Sequence, residues 1–221
     1  MPNPATNSFD LIAPVYDALA ELVYGQTQRQ AQAHFLSRIP PGARVLILGG
    51  GSGWILPALL RRSAPRHVLF LEASGKMLAK AQTYFQQHAP SSAGRVEFRH
   101  GTEAVLLPTE MFEVVLTPFV LDLFSNAEMR ALLQRLDAAL APGGRWLHTD
   151  FYASADPRHR WWQQPLLWCM YRFFRAVSHI SAQELPAFDR AFGELGYQVQ
   201  QEAFFYGRFM RAQVLVKPGG A

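Results

Sequence analysis

Gly49-Gly50-Gly51-Ser52-Gly53 leaves the backbone almost bare between a short apolar run and a helical one. Glycine at such a place lets the main chain pass close to a ligand. The helix that follows offers unpaired N–H groups and a partial positive charge at its N-terminus. Some twenty residues on, Glu72 closes the next apolar run. A carboxylate there accepts both hydroxyls of a ribose, or merely caps its strand. A dinucleotide fingerprint places glycine at the first, third and sixth positions. Counted from Gly49, the sixth position is Trp54, too bulky for close helix–strand packing, and the observed spacing is Gly49-x-Gly51-x-Gly53. This counts against NAD or FAD. The absence of Gly-Lys-Ser/Thr at the end of the loop counts against a P-loop.

Other polar candidates fall where ligands bind in sheets of this kind, beyond the carboxyl ends of strands. Asp122 follows one apolar run and Asp150 another. Either can orient an acceptor or take its proton; Asp122 can equally cap a turn, and Asp150 reads more readily as a structural residue of a loop turn. His148 sits inside a strand-like run and reads as a satisfied core histidine. Trp161 to Arg175 is dense in aromatic residues and suits three roles: the wall or lid of an apolar pocket, a packed or dimeric contact, or a membrane-facing segment whose Arg172 and Arg175 meet headgroups.

The elements that must hold these residues follow from hydrophobic periodicity. Arg44–Leu48, His67–Leu71, Val96–Phe98, Phe112–Leu116 and Arg145–Thr149 read as strands, the first a continuous apolar run suited to burial on both faces. Between them lie helical stretches over Trp54–Arg62, Lys76–His88 and Ala127–Leu140. This alternation predicts βαβ units and a parallel sheet with helices on both sides. Ahead of it, Phe9–Val23 and Gln26–Ile39 read as helices closed by Pro40-Pro41-Gly42. Behind it, Ser181–Leu195 reads as a helix capped by Gly196, and Tyr197–Phe205 with Phe209–Val216 as an antiparallel pair. The expected architecture is one domain over 1–221, a doubly wound, seven-stranded, mostly parallel α/β sheet. Its parts are an N-terminal helical cap (1–41), a ligand-binding core (42–151), an aromatic insertion (152–180), and a C-terminal helix with the closing strand pair (181–216).

Composition narrows the setting. The chain has 221 residues, of which 49% are apolar and 17% charged, enough to bury a core and too apolar for disorder. One cysteine, Cys169, excludes an intramolecular disulfide framework and any cysteine-cluster metal site, and suits a reducing compartment. Met1–Asp10 carries no basic residue and no apolar run, and no stretch approaches the ~18 apolar residues of a membrane span, so a cytoplasmic location is expected. The net charge of +4 is scattered rather than blocked, unlike a nucleic-acid face.

The run Arg44-Val-Leu-Ile-Leu-Gly-Gly-Gly-Ser-Gly53, with Glu72-Ala73-Ser74, Gly101-Thr102-Glu103 and Leu140-Ala-Pro-Gly-Gly144, resembles the class I S-adenosylmethionine (SAM)-dependent methyltransferases, whose fold is Rossmann-like. The resemblance covers roughly residues 9–216. Within the superfamily, Phe9-Asp10, Ala13-Pro-Val-Tyr16-Asp17 and Asp150-Phe151 look like the ubiquinone/menaquinone-biosynthesis C-methyltransferases and their small-molecule relatives.

The resemblance implies SAM as cofactor and particular contacts for it. Gly49, Gly50, Gly51 and Gly53 would pass under its methionine part, Glu72 would hold the ribose, and Ala73, Ser74 and Met77 would border the adenine. Gly101, Thr102 and Glu103 would lie near the adenine amino group, Thr117 and Phe119 near the sulfonium, and Tyr16 would cover the cofactor. The family usually carries an acidic residue where Ile47 stands and an aspartate where Thr102 stands, with Glu103 adjacent as a substitute. The implied function is methylation of a small, hydrophobic or aromatic acceptor, with Asp122 and Asp150 as catalytic candidates and no metal.

A noncatalytic SAM-fold interaction protein is the alternative that Ile47 and Thr102 motivate, and an NAD-type oxidoreductase is the one that Trp54 disfavours. Base methylation of nucleic acid fits poorly, since Thr117-Pro118-Phe119-Val120 offers one proline and no amide. The expected partners are therefore a small-molecule acceptor and no nucleic acid. No stable membrane insertion is expected, and beside its role as a pocket wall or lid the aromatic segment leaves open a peripheral membrane contact or a homodimer.

Overall fold

Seven strands form one sheet in the order β3-β2-β1-β4-β5-β7-β6. The computed structural model describes residues 26–178 and 180–219. The expected helix over Phe9–Val23, and Tyr16 within it, lie outside the described residues. β1 (Arg44–Leu48), β2 (His67–Glu72), β3 (Val96–His100), β4 (Phe112–Pro118) and β5 (Leu140–Phe151) run parallel. β7 (Met210–Val216) lies antiparallel between β5 and β6 (Gln198–Phe205).

Alternation along the strands explains the layers. Val45 and Ile47 of β1 enter one core with α1 (Thr27–Ala33), α2 (Ile55–Arg62) and α3 (Gly75–His88). Leu46 and Leu48 enter the other, against α4 (Asn126–Ala139) and α6 (Phe188–Glu194). Both faces of the central strands are apolar, and both are covered. A third apolar cluster gathers Phe119, Phe151, Phe209 and Met210 beneath the 22-residue helix α5 (Pro157–Ser178), at the carboxyl ends of β4 and β5.

Three expectations need correction. The helix expected over Ser181–Leu195 is confined to Phe188–Glu194. Pro186 disfavours helical backbone at the residue before it. Upstream of it, Ser181 accepts from the Ser125 N–H and Ala182 donates to the Leu123 carbonyl, bonds that tie this stretch to the start of α4 rather than to a helix of its own. The helix expected over Gln26–Ile39 is broken into α1 and a 3-10 turn at Leu36–Arg38. Asp150, expected in a loop turn, lies inside β5 opposite Arg211 of β7.

Candidate functional site

The loop from Gly49 to Gly53 follows β1 and leads into α2, and its glycines are required for different reasons. A Cβ on Gly49 would stand 2.7 Å from Val120, one on Gly50 2.2 Å from the Phe70 ring, and one on Gly53 2.6 Å from the Ala81 Cβ. Those three positions are closed by the protein itself. Gly53 thereby lets the loop touch α3, the close packing that the sixth position of a dinucleotide loop supplies elsewhere. Gly51 differs: its φ is +57°, and nothing lies within 4 Å of where its Cβ would be. The space above Gly51 is a cradle that any side chain would fill.

Glu72 clips this loop in place. Its Oε2 accepts the Gly51 N–H at 3.0 Å and its Oε1 accepts the Ser74 N–H at 3.0 Å. The side chain is buried. Burial lifts its pKa, opposed by the N–H groups of Ser74, Gly51 and Ala73 and by the charge of His100. Each oxygen retains a second lone pair, so the carboxylate can hold the loop and still accept hydroxyl donors.

The neighbouring residues are placed as follows. Ser74 caps α3, its hydroxyl accepting from the Met77 N–H at 3.2 Å, and the Ala73 carbonyl meets His100 Nε2 at 3.0 Å. Gly101, φ +145°, donates its N–H to the Glu72 carbonyl. The Thr102 hydroxyl accepts from the Ala104 N–H and caps a 3-10 turn that begins at Glu103. Ile47 is fully buried in the core that contains Phe70. An acidic side chain at that position would therefore sit among apolar groups.

Phe119, after β4, adopts φ +54°, a conformation costly for a bulky residue. Its N–H donates to the Thr149 carbonyl at 2.7 Å and its ring packs edge-on to Phe151 at 5.2 Å. Thr117 needs a correction. Its hydroxyl accepts from Trp146 Nε1 at 2.9 Å and lies 3.3 Å from His148 Nδ1, so this side chain faces the core and only its backbone remains for a ligand. His148 is the buried core histidine expected, its pKa lowered to about 3 by burial and then by the charge of Arg211.

Asp122 and Asp150 come together. The Asp122 N–H donates to Asp150 Oδ2 at 3.3 Å, and the Phe151 N–H to Asp150 Oδ1 at 2.9 Å. Burial raises both pKa values, that of Asp122 to about 7, and the charge of Asp122 raises Asp150 further. Asp122 Oδ1 is buried without a hydrogen-bond partner. So is the hydroxyl of Tyr171, on the inner face of α5, whose pKa is raised first by burial and then by the charges of Asp122, Asp150 and Glu184. Two orphaned polar atoms in one apolar cluster can receive a ligand's polar group. Tyr171 was not legible in advance, because the sequence shows it only as one aromatic among many. No group of histidine, cysteine, aspartate and glutamate suited to a metal ion occurs among the described residues.

Residues 45–144 match the family model described as methyltransferase domain. No curated protein matches the chain. Solved structures share its fold. Magnesium protoporphyrin IX methyltransferase of Synechocystis, with bound S-adenosylhomocysteine, has a TM-score of 0.67 at 16% identity, covering 96% of this chain and 97% of that one. An O-methyltransferase family 2 protein of Planctomyces limnophilus, in complex with apigenin, has a TM-score of 0.68 at 15% identity, covering 93% and 61%. An N-methyltransferase of Bradyrhizobium japonicum has a TM-score of 0.61 at 12% identity, covering 86% and 95%.

Proposed function

We propose that the protein, whose residues 45–144 match the methyltransferase-domain model and whose fold is shared with solved methyltransferases, transfers the methyl group of SAM to a small apolar or aromatic acceptor. The observation that carries this reading is the open cradle at Gly51, held by Glu72. The residues fit the cofactor: a positive φ with free space for its methionine part, and a fixed carboxylate for its ribose hydroxyls.

When bound, SAM supplies an electrophilic methyl carbon on a cationic sulfur. The chain's own work is to bind, orient and exclude water, and orientation is a large share of the barrier in such a displacement. In our reading Ala73, Ser74, Met77, Gly101, Thr102 and Glu103 border the adenine, and the strained Phe119 supports the acceptor's approach. The cluster of Phe119, Phe151, Leu167 and Met170 favours an apolar acceptor body. Asp122 Oδ1 takes a proton from an acceptor hydroxyl or amine, Asp150 holds Asp122 in place, and the Tyr171 O–H donates to the same acceptor atom. The lone cysteine, Cys169, supports a cytoplasmic setting. For further partners, the outer face of α5 stands available to a second copy or a membrane surface.

Thermal melts with SAM, S-adenosylhomocysteine, NAD and ATP test the cofactor. A ligand at ~100 times its Kd adds about 2.7 kcal/mol, or roughly 5–10 °C for a domain of this size. A shift with the two adenosyl-sulfur ligands alone is expected; a shift with NAD alone would replace this reading with the oxidoreductase. Binding of SAM without turnover of any acceptor class would favour the noncatalytic alternative.

A further inference from the structure

Helix α5 carries two opposite stripes at the same spacing. Gln163, Leu167, Met170 and Phe174 recur at i, i+4, i+7 and i+11 and face inward, the first three buried and Phe174 partly buried against the same cluster. Trp161, Pro165, Trp168 and Arg172 recur at the same intervals on the far side, with Trp161 73% and Trp168 66% exposed. Phe173, on the shoulder, is 39% exposed. Large aromatics pointing at water from a helix whose inner face is already packed on an apolar cluster mark a contact surface.

The charge of the helix says what it contacts. Between Pro157 and Ser178 the sequence has four arginines, Arg158, Arg160, Arg172 and Arg175, and no aspartate or glutamate. Asp156, just before the helix, accepts from the Arg158 N–H and faces His159, as a cap does. Arg172 lies over the Trp168 ring at 5.8 Å, placing a cation at the level of an amphipathic aromatic. Such mixing of tryptophan and arginine suits the boundary between lipid headgroups and acyl chains, and suits a protein core poorly.

The surface extends beyond the helix. Gln163, fully buried, donates to the Gly207 carbonyl at 3.1 Å and accepts from the Ser154 N–H at 2.8 Å. This pins α5 to the turn Tyr206-Gly207-Arg208, all three at positive φ, where Tyr206 is 40% exposed and a further cation, Arg208, lies over the Phe204 ring at 3.6 Å. No helix among the described residues is long and apolar enough to cross a membrane, so contact along the helix is the geometry left.

We infer that the outer face of α5, with the adjoining Tyr206–Arg208 turn, docks on an anionic lipid bilayer through Trp161, Trp168 and the arginines around them. This names a partner for the site proposed above, because the inner face of the same helix roofs the apolar cluster assigned to the acceptor. The docking itself does not depend on SAM.

Co-sedimentation of the whole chain with phosphatidylcholine vesicles and with vesicles containing phosphatidylglycerol tests it. Binding to the anionic vesicles alone, weakened by salt, is expected. Trp161→Ser with Trp168→Ser should reduce it at least tenfold, and each of Arg158→Gln, Arg172→Gln and Arg175→Gln roughly fivefold. An environment-sensitive fluorophore on Cys169, the chain's single and exposed cysteine, should shift to the blue on binding. Unchanged melting and S-adenosylhomocysteine affinity in the variants keep folding and cofactor binding separate from the result. Failure to bind either vesicle, binding indifferent to the variants, or a dimer in sedimentation that the tryptophan variants dissolve would overturn the inference, the last giving the face to a second copy.

Discussion

The N–H of Asp122 donates to Oδ2 of Asp150 across 3.3 Å, bringing together two acids that are 28 residues apart in the chain and both buried. Like charges so placed cannot both ionise at little cost, so the pair holds a proton at a pH where isolated aspartates hold none. Below α5 this pair is the only arrangement among the described residues that leaves a carboxyl oxygen buried without a partner.

The pair should make stability depend on pH. Both carboxyls titrate higher folded than unfolded, Asp122 near 7 against 3.8. The folded state therefore holds more protons between about pH 4 and 7, and stability falls as pH rises through that window. Asp122→Asn removes the cost, for which ~4 kcal/mol is a ceiling. Its melting temperature should exceed that of the native chain at pH 8, with the gap shrinking towards pH 4. A gap constant across pH would mean that the two acids share no proton.

Glu72 should matter twice, for the loop and for the ligand. Glu72→Ala frees the Gly51 and Ser74 N–H groups together and should weaken S-adenosylhomocysteine by roughly 10–100-fold, on the scale of one or two hydrogen bonds to a charged group. Glu72→Gln keeps one accepting oxygen and should lie between. Calorimetric titration reads both, and native affinity in the alanine variant would remove Glu72 from the ribose.

Two glycines of one loop should fail in different ways. Gly53→Ala puts a Cβ 2.6 Å from that of Ala81 at a φ of +78°, so its cost falls on folding, about 1–3 kcal/mol. Gly51→Trp sets its Cβ where no atom lies within 4 Å and should fold with the strain of its φ, while S-adenosylhomocysteine binding disappears. Melting curves with and without ligand separate the two. A Gly51→Trp chain that binds normally would detach the loop from the cofactor.

What the sequence disclosed depended on range. The strands of the parallel sheet were readable because runs such as Val45–Leu48, behind Arg44, are apolar at every position, and the spacing from Gly53 to Glu72 placed both at the same end of neighbouring strands. Contacts between distant segments were not readable. Val120 closes over Gly49, Asp150 sits in a strand beside Asp122, and the charges of both acids act on Tyr171 of α5. The same limit hid the Thr117 side chain, which turns to Trp146 and His148 some thirty residues away. A helical pattern over 181–187 was likewise outweighed by bonds to Ser125 and Leu123.

The placement of β7 between β5 and β6 governs the order in which the chain can assemble. β6 has one neighbour in the sheet, and that neighbour is made after it. Until Met210–Val216 has emerged, β5 presents an open edge and Gln198–Phe205 has nothing to pair with. Closing the sheet on this strand joins segments about seventy residues apart, such as Arg145 with Val216, a slow, high-separation step. During synthesis the parallel half can form first, and the wall that carries the roof of α5 is completed last.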